Sequence, residues 1–176
     1  AKRKAAEGTV VVAEEQTAGR GREKRTWLSP RGSISLSVIL YPDISQLPYL
    51  IMIASLAAAR SIEAVAGLGT QLKWPNDVLI RGKKVCGILI ESELKGSSVA
   101  WAVIGIGINV NIKVRDMPEI AATATSLSDE LGEELLRVEI IRCLLVELEK
   151  LYVELGDGTR VYQEWRKRLI TLGRRV

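Results

Sequence analysis

Gln71-Leu72-Lys73-Trp74-Pro75-Asn76-Asp77-Val78-Leu79-Ile80-Arg81-Gly82-Lys83-Lys84-Val85-Cys86-Gly87-Ile88-Leu89-Ile90 is the stretch on which the fold reading turns. Strand-like runs at Gln71–Trp74, Val78–Ile80, Val85–Glu93 and Ser98–Val110 are separated by Pro75-Asn76-Asp77, Arg81-Gly82-Lys83-Lys84 and Lys95-Gly96-Ser97. Proline, glycine, asparagine and aspartate supply the backbone angles of tight turns, and apolar runs between such turns read as strands. The stretch predicts a meander of antiparallel strands.

Working outward, Thr9–Ala13 is a short β-branched run, and Ser33–Leu40 alternates Ile34, Leu36, Val38 and Leu40 with Ser33, Ser35 and Ser37. Both patterns have the period of two expected of strands. Residues Ile44–Ala66 turn helical and apolar, with Pro48 tolerable in the first turn and Gly67 a stop. Ile140, Ile141, Leu144, Leu145, Leu148, Leu151, Tyr152 and Leu155 recur at helical spacing, with Arg137, Glu139, Arg142, Glu147 and Lys150 on the predicted wet side. A shorter helix is expected over Val161–Ile170. The fold class is α/β in the α+β sense: a mixed, largely antiparallel sheet with helices packed on it.

The 176 residues, nearly half of them apolar, suit one globular domain with a sizeable core and exclude a disordered chain. Lysine and arginine outnumber acidic residues 25 to 21 and gather around residues 20–31 and 81–84, which favours an anionic ligand over a basic stripe for nucleic acid. Cys86 and Cys143 lie in apolar runs, so a disulfide framework and a zinc site are not expected, and a reducing cytoplasm fits. No signal peptide is visible, and the apolar run 50–58 is too short to span a bilayer, so no membrane is expected as a partner.

Two segments carry candidate chemistry. In Gln16-Thr17-Ala18-Gly19-Arg20-Gly21-Arg22, Gly19 and Gly21 let backbone approach a ligand, while Arg20, Arg22 and Arg25 can bond phosphate or carboxylate oxygens in pairs. The same composition suits a solvated hairpin loop, and the phosphate-loop ending Gly-Lys-Ser or Gly-Lys-Thr is missing. In Lys73-Trp74-Pro75-Asn76-Asp77, Asn76 can meet a heterocycle edge and Asp77 can orient or deprotonate an amine, although these are also common turn residues. Lys84 could neutralise charge on a phosphoryl group or be a surface lysine; Gly87, Gly105, Gly107 and Asn109 mark bulges or a ligand lying on backbone. The chain has no histidine, which removes histidine-based triads and metal sites, and Cys86 reads as a core thiol.

Read in order, Gln16-Thr17-Ala18-Gly19-Arg20-Gly21-Arg22, Trp27 with Ser29-Pro30 and Gly32, Lys73-Trp74-Pro75-Asn76-Asp77, Lys84 with Gly87-Ile88-Leu89, and Gly105-Ile106-Gly107-Ile108-Asn109-Val110 resemble the catalytic core of biotin protein ligases, or biotin-[acetyl-CoA-carboxylase] ligases, over most of residues 8–112. The resemblance implies a fold related to class II aminoacyl-tRNA synthetases. It also implies a two-step reaction, in which biotin and ATP give biotinyl-5'-AMP and a lysine of biotin carboxyl carrier protein then takes the biotinyl group, with Mg2+ on the ATP phosphates. Carried over by position, Lys84, Arg20 and Asp77 are catalytic. Gln16, Gly19, Arg20, Gly21, Arg22, Lys84 and Gly87 bind biotin. Arg22, Arg25, Trp27, Asn76, Lys84 and Asn109 bind ATP and the adenylate. No metal site on the protein is expected.

The chain departs from the family pattern in having no Ser-Thr-Asn segment before the first strand and Glu23-Lys24 in the basic loop. The expectation is therefore a single catalytic domain over 1–176, without an N-terminal DNA-binding domain or a C-terminal small barrel, with no DNA partner and with a homodimer left open. Two other functions compete: a lipoate or octanoate ligase or transferase, and a non-catalytic ligand-binding module.

Overall fold

The computed structural model describes residues 5–173. Six strands, β1 (Val10–Ala13), β2 (Ile34–Leu40), β3 (Gln71–Lys73), β4 (Asp77–Ile80), β5 (Lys83–Lys95) and β6 (Ser98–Ile108), form one sheet in the order β1-β2-β6-β5-β4-β3. Every named pair is antiparallel, and among the described residues parallel pairing is confined to the isolated bridges Leu72–Leu169 and Lys84–Ala124. The expected meander is present, and β5 starts two residues earlier than the apolar run indicates. Arg81 and Gly82 both have positive φ (49° and 80°), the geometry of a two-residue hairpin turn that pairs Ile80 directly with Lys83. Lys83 and Lys84 are thereby strand residues.

Alternation then assigns the two faces. Ile34, Leu36, Val38 and Leu40 of β2 are all at most 5% exposed and share a buried face with Ile104, Ile106 and Ile108 of β6 and Cys86 and Ile88 of β5. Against this face lies α1 (Leu50–Ala66), entered through a 3-10 turn at Leu47–Tyr49 that accommodates Pro48. The helix is thus shorter than the expected 44–66, and Gly67 ends it in the left-handed conformation (φ 66°). Ten of its residues are buried, because the sheet covers one side and α3 (Arg137–Val153) and α4 (Thr159–Arg168) cover another. By length and composition Leu47–Ala66 is able to cross a membrane, a longer segment than the 50–58 run; here more than half of it is enclosed as the central helix of the core.

Glu147 is not on the wet side of its helix. It accepts a 2.6 Å ion pair from Arg60 of α1, which also pairs with Glu164 of α4 at 2.6 Å, and all three side chains are a third exposed or less. The hydrogen bond that Arg60 donates to Glu164, joined by that to Glu147, holds the guanidinium above its ordinary range against the opposing effect of burial. Helical periodicity identifies which residues face inward, but a charged residue aimed at a neighbouring helix's opposite charge looks the same as one aimed at water. A further short helix, α2 (Leu127–Leu131), had no expectation. Ser126 caps it, its Oγ accepting from the Asp129 N–H at 3.1 Å, and Gly132 closes it at φ 81°.

Candidate functional site

The opposite face of the sheet carries small residues where the core face carries large ones. Register places Ser35, Gly107 and Gly87 in one row across β2, β6 and β5, and Ser37, Gly105 and Leu89 in the next. Three strands with almost no side chains on one face make a trough, and it floors a cavity of about 520 Å³. Trp27 lies on this floor. A Cβ on Gly107 would come within 2.5 Å of its ring, and one on Gly87 within 3.1 Å of both the ring and Lys84 Nζ. These glycines are therefore a requirement of close approach rather than of backbone angle. The Trp27 indole Nε1 is buried with no hydrogen-bond partner, a donor that a ligand acceptor can satisfy.

One end of the trough is a polar corner. The Trp74-Pro75-Asn76 turn, with a cis Trp74–Pro75 bond, is fastened to β5 by two bonds: Ile88 N–H donates to the Asn76 carbonyl at 3.0 Å, and Asn76 Nδ2 donates to the Ile88 carbonyl at 2.8 Å. Asp77, first in β4, is then fixed beside Lys84, whose ammonium lies 2.6 Å from Asp77 Oδ1 and 5.3 Å from the centre of the Trp27 ring. Both side chains are less than a third exposed, so the pair is held in a partly desolvated setting.

The other wall is the loop from Gln16 to Trp27. Its base is pinned by Gln16 N–H to the Ser29 carbonyl (2.9 Å) and Trp27 N–H to the Gly19 carbonyl (3.0 Å); a Cβ on Gly19 would strike the Trp27 carbonyl oxygen. Its tip closes through Gly21 N–H to the Arg25 carbonyl (2.7 Å) over a 3-10 turn at Arg22–Lys24, in which Glu23 (φ 55°) and Lys24 (φ 61°) are both left-handed. Non-glycine residues resist that conformation, so the Glu23-Lys24 departure from the family pattern falls where glycine is easiest to accommodate.

The cavity lining brings together Gln16, Arg20, Gly21, Arg22, Arg25, Trp27, Asn76, Asp77, Lys84 and Gly87 of the expected site. Gly19 is at the base of the loop, where its carbonyl accepts from Trp27 N–H, and is not in the lining. Asn109 is not at the cavity either: it is 3% exposed, its Nδ2 donates to the Thr125 carbonyl at 3.0 Å, and its own carbonyl accepts from Leu127 N–H. It ties the segment after β6 to the end of the sheet, a role its place in the Gly105–Val110 run did not disclose. Glu91, Ser35 and Ser37 are lining residues missed from the sequence. The Ser33–Leu40 alternation marked the serines as one face, but only the strand order shows that β6 lays its glycines beside them. Cys86 points into the core, where burial pushes its thiol up to about 12, so it remains protonated at neutral pH and is no nucleophile.

Residues 2–109, more than half the chain, match the Biotin/lipoate A/B protein ligase family. The chain belongs to the biotin/lipoate A/B protein ligase family. This ligase-family chain is 49% identical over 152 residues, 84% of its length, to the bifunctional ligase/repressor BirA of Bacillus spizizenii, of which the match covers 47%. It is 36% identical over 97% of its length to the biotin–[acetyl-CoA-carboxylase] ligase of Mycobacterium tuberculosis, covering 64% of that protein. The chain thus spans about half the length of the BirA relative. Among solved structures, the biotin protein ligase from Aquifex aeolicus in complex with biotin and ATP superposes with a TM-score of 0.81 at 30% identity, over 98% of this chain and 73% of that one. The Leishmania major biotin protein ligase in complex with biotin follows at 0.78 and 26%.

Proposed function

We propose that the chain activates biotin with ATP, giving biotinyl-5'-AMP and pyrophosphate, and transfers the biotinyl group to a lysine of biotin carboxyl carrier protein. The observation that carries the reading is the joining of a side-chain-poor trough to cations on the loop that walls it and at its polar corner. A fused, uncharged ring system suits the first and a carboxylate meeting a triphosphate suits the second. Gln16 and the Gly87 backbone face the ring, while Trp27 and Asn76 shape the adenosine side. Asn109 contributes only through the segment it secures.

In the first step a biotin carboxylate oxygen attacks the α-phosphorus and pyrophosphate leaves. Both partners are anionic, so the principal task of the protein is to offset charge and hold geometry, which Arg20, Arg22, Arg25 and Lys84 perform. Lys84 has to exchange Asp77 for a phosphoryl oxygen. That exchange frees the Asp77 carboxylate to receive the acceptor amine, which attacks the mixed-anhydride carbonyl and expels AMP. Magnesium enters with ATP, since this ion commonly binds through phosphates and one or two carboxylates. Among the described residues no group of three or more potential ligands is assembled. Both cysteines are free thiols, in keeping with a cytoplasmic setting.

ATP–pyrophosphate exchange, measured with biotin and with lipoate in parallel, tests the reading. Exchange dependent on biotin alone is expected; exchange with lipoate alone would assign the chain to the other branch of its family, and binding of biotinyl-5'-AMP without exchange would make it a binding module.

A further inference from the structure

The cavity holds five cations, and three of them are already occupied. Arg20 pairs with Glu91 at 2.8 Å, Arg25 with Glu23 at 2.9 Å and Lys84 with Asp77 at 2.6 Å, while Arg22 and Lys73 make no ion pair among the described residues. Glu91 differs from the other two carboxylates in its origin. Glu23 belongs to the same loop as its partner, and Asp77 lies on the strand next to that of Lys84, whereas the Arg20–Glu91 bond links the tip-forming loop to the far end of the trough across 71 residues of sequence. Glu91 stands on β5 opposite Val103 of β6, two residues beyond the row of Ser37, Gly105 and Leu89, and its face is the cavity face.

We propose that Glu91 is a positioning residue that stands in for the substrate carboxylate: in the ligand-free protein it holds Arg20 and the loop over the trough, and it yields Arg20 when the acyl substrate's carboxylate arrives. The inference rests on the reading of the cavity as an acyl-activating site. An arginine binds one carboxylate or another through the same planar fork, so resting partner and ligand compete directly. The resting pair is largely solvated, Arg20 being 72% and Glu91 40% exposed, so it is weak enough to be displaced. A loop latched in this way meets its ligand partly ordered, and Arg20 is kept off stray anions until a carboxylate attached to a ring that fills the trough displaces Glu91.

The test is calorimetric titration of biotin and of its neutral analogue biotinamide into the intact chain and into Glu91→Gln, Arg20→Gln and the double variant. With Glu91→Gln, biotin is expected to bind about two- to fivefold tighter, the range that an exposed ion pair commands. Biotinamide affinity should not change, and the gain for biotin should vanish when Arg20→Gln is also present. Weakening of both ligands alike would make the pair a plain structural brace and overturn the proposal, as would equal affinity of Glu91→Gln and the parent for biotin. Hydrogen exchange at residues 19–26 of the ligand-free proteins supplies a second readout independent of biotin: faster exchange in Glu91→Gln supports the latch and unchanged exchange overturns it. Should the parent bind neither biotin nor biotinamide, the functional reading fails while this second readout still decides the latch.

Discussion

The trough and the loop that faces it are held by different physics. The trough is backbone: three strands in register, with β6 paired on both sides by β2 and β5 and glycines at 87, 105 and 107 leaving little to rearrange. The loop tip is held by side chains and strained turns, with exposed pairs Arg20–Glu91 and Arg25–Glu23 set against left-handed Glu23 and Lys24. Exposed ion pairs contribute about 0–1 kcal/mol each, whereas a non-glycine residue in a sparsely populated backbone region costs about 1 kcal/mol or more. The two nearly cancel, so the loop needs a ligand to close firmly. In the proposed reaction a rigid floor would align the reactants and a marginal wall would admit them.

The largest effect is expected at the corner of the rigid region. Lys84→Ala should lower biotin-dependent pyrophosphate exchange on the order of a hundredfold while the far-ultraviolet circular dichroism is retained, since it removes a cation fixed against the developing charge. Unchanged exchange would take Lys84 out of the reaction. Gly107→Ala comes next. Its Cβ would sit 2.5 Å from the Trp27 ring, and overpacking of about 1–3 kcal/mol corresponds to biotin binding weaker by roughly five- to 150-fold. Titration calorimetry reads this directly, and parental affinity would show that the indole shifts without consequence.

In the loop the effect should be on retention rather than synthesis. Arg22, without an ion pair among the described residues, is the guanidinium that the proposed reaction leaves to hold the adenylate. Arg22→Gly should still form biotinyl-5'-AMP but release it on the order of tenfold faster, because a closed wall both anchors the anhydride and excludes water. The half-life of protein-bound adenylate and the biotinylation of an unrelated lysine-rich protein check this; neither changing would separate the loop from protection. Smallest is Lys24. Lys24→Gly should be nearly neutral to thermal stability, relief of strain offsetting the added freedom of the unfolded chain, whereas Lys24→Val should be clearly destabilising because a β-branched residue is a true outlier at φ 61°. Equal melting temperatures for the two would remove strain from the account of the loop.

How legible each region is in the sequence follows from the same contrast. Strand and helix periods mark β2, β5, β6, α1 and α3 because burial imposes them, and the turn residues between Ile80 and Lys83 mark the hairpin. The trough itself was visible only in pieces. The serines of β2 and the glycines of β6 lie about seventy residues apart, and their juxtaposition is a matter of strand order, which no local pattern contains. Pairings such as Arg20–Glu91 and Arg60–Glu147 are hidden for the same reason, as a charge in a helix or loop does not name its partner. The family resemblance puts Asn109 at the site, but its side chain turns to the Thr125 carbonyl instead. Helix α2, five residues long, is too short for periodicity to mark; only its Ser126 cap and Gly132 stop were there to read.

The division between a preformed floor and a ligand-closed wall is tested most directly by hydrogen exchange with and without biotinyl-5'-AMP, resolved to residues 18–26 of the loop and to residues 84–90 and 103–109 of the floor. The account predicts that exchange slows markedly in the loop on binding and that the floor, already protected, changes little. Equal loop exchange in the free and bound protein, or protection gained mainly at the floor, would contradict it.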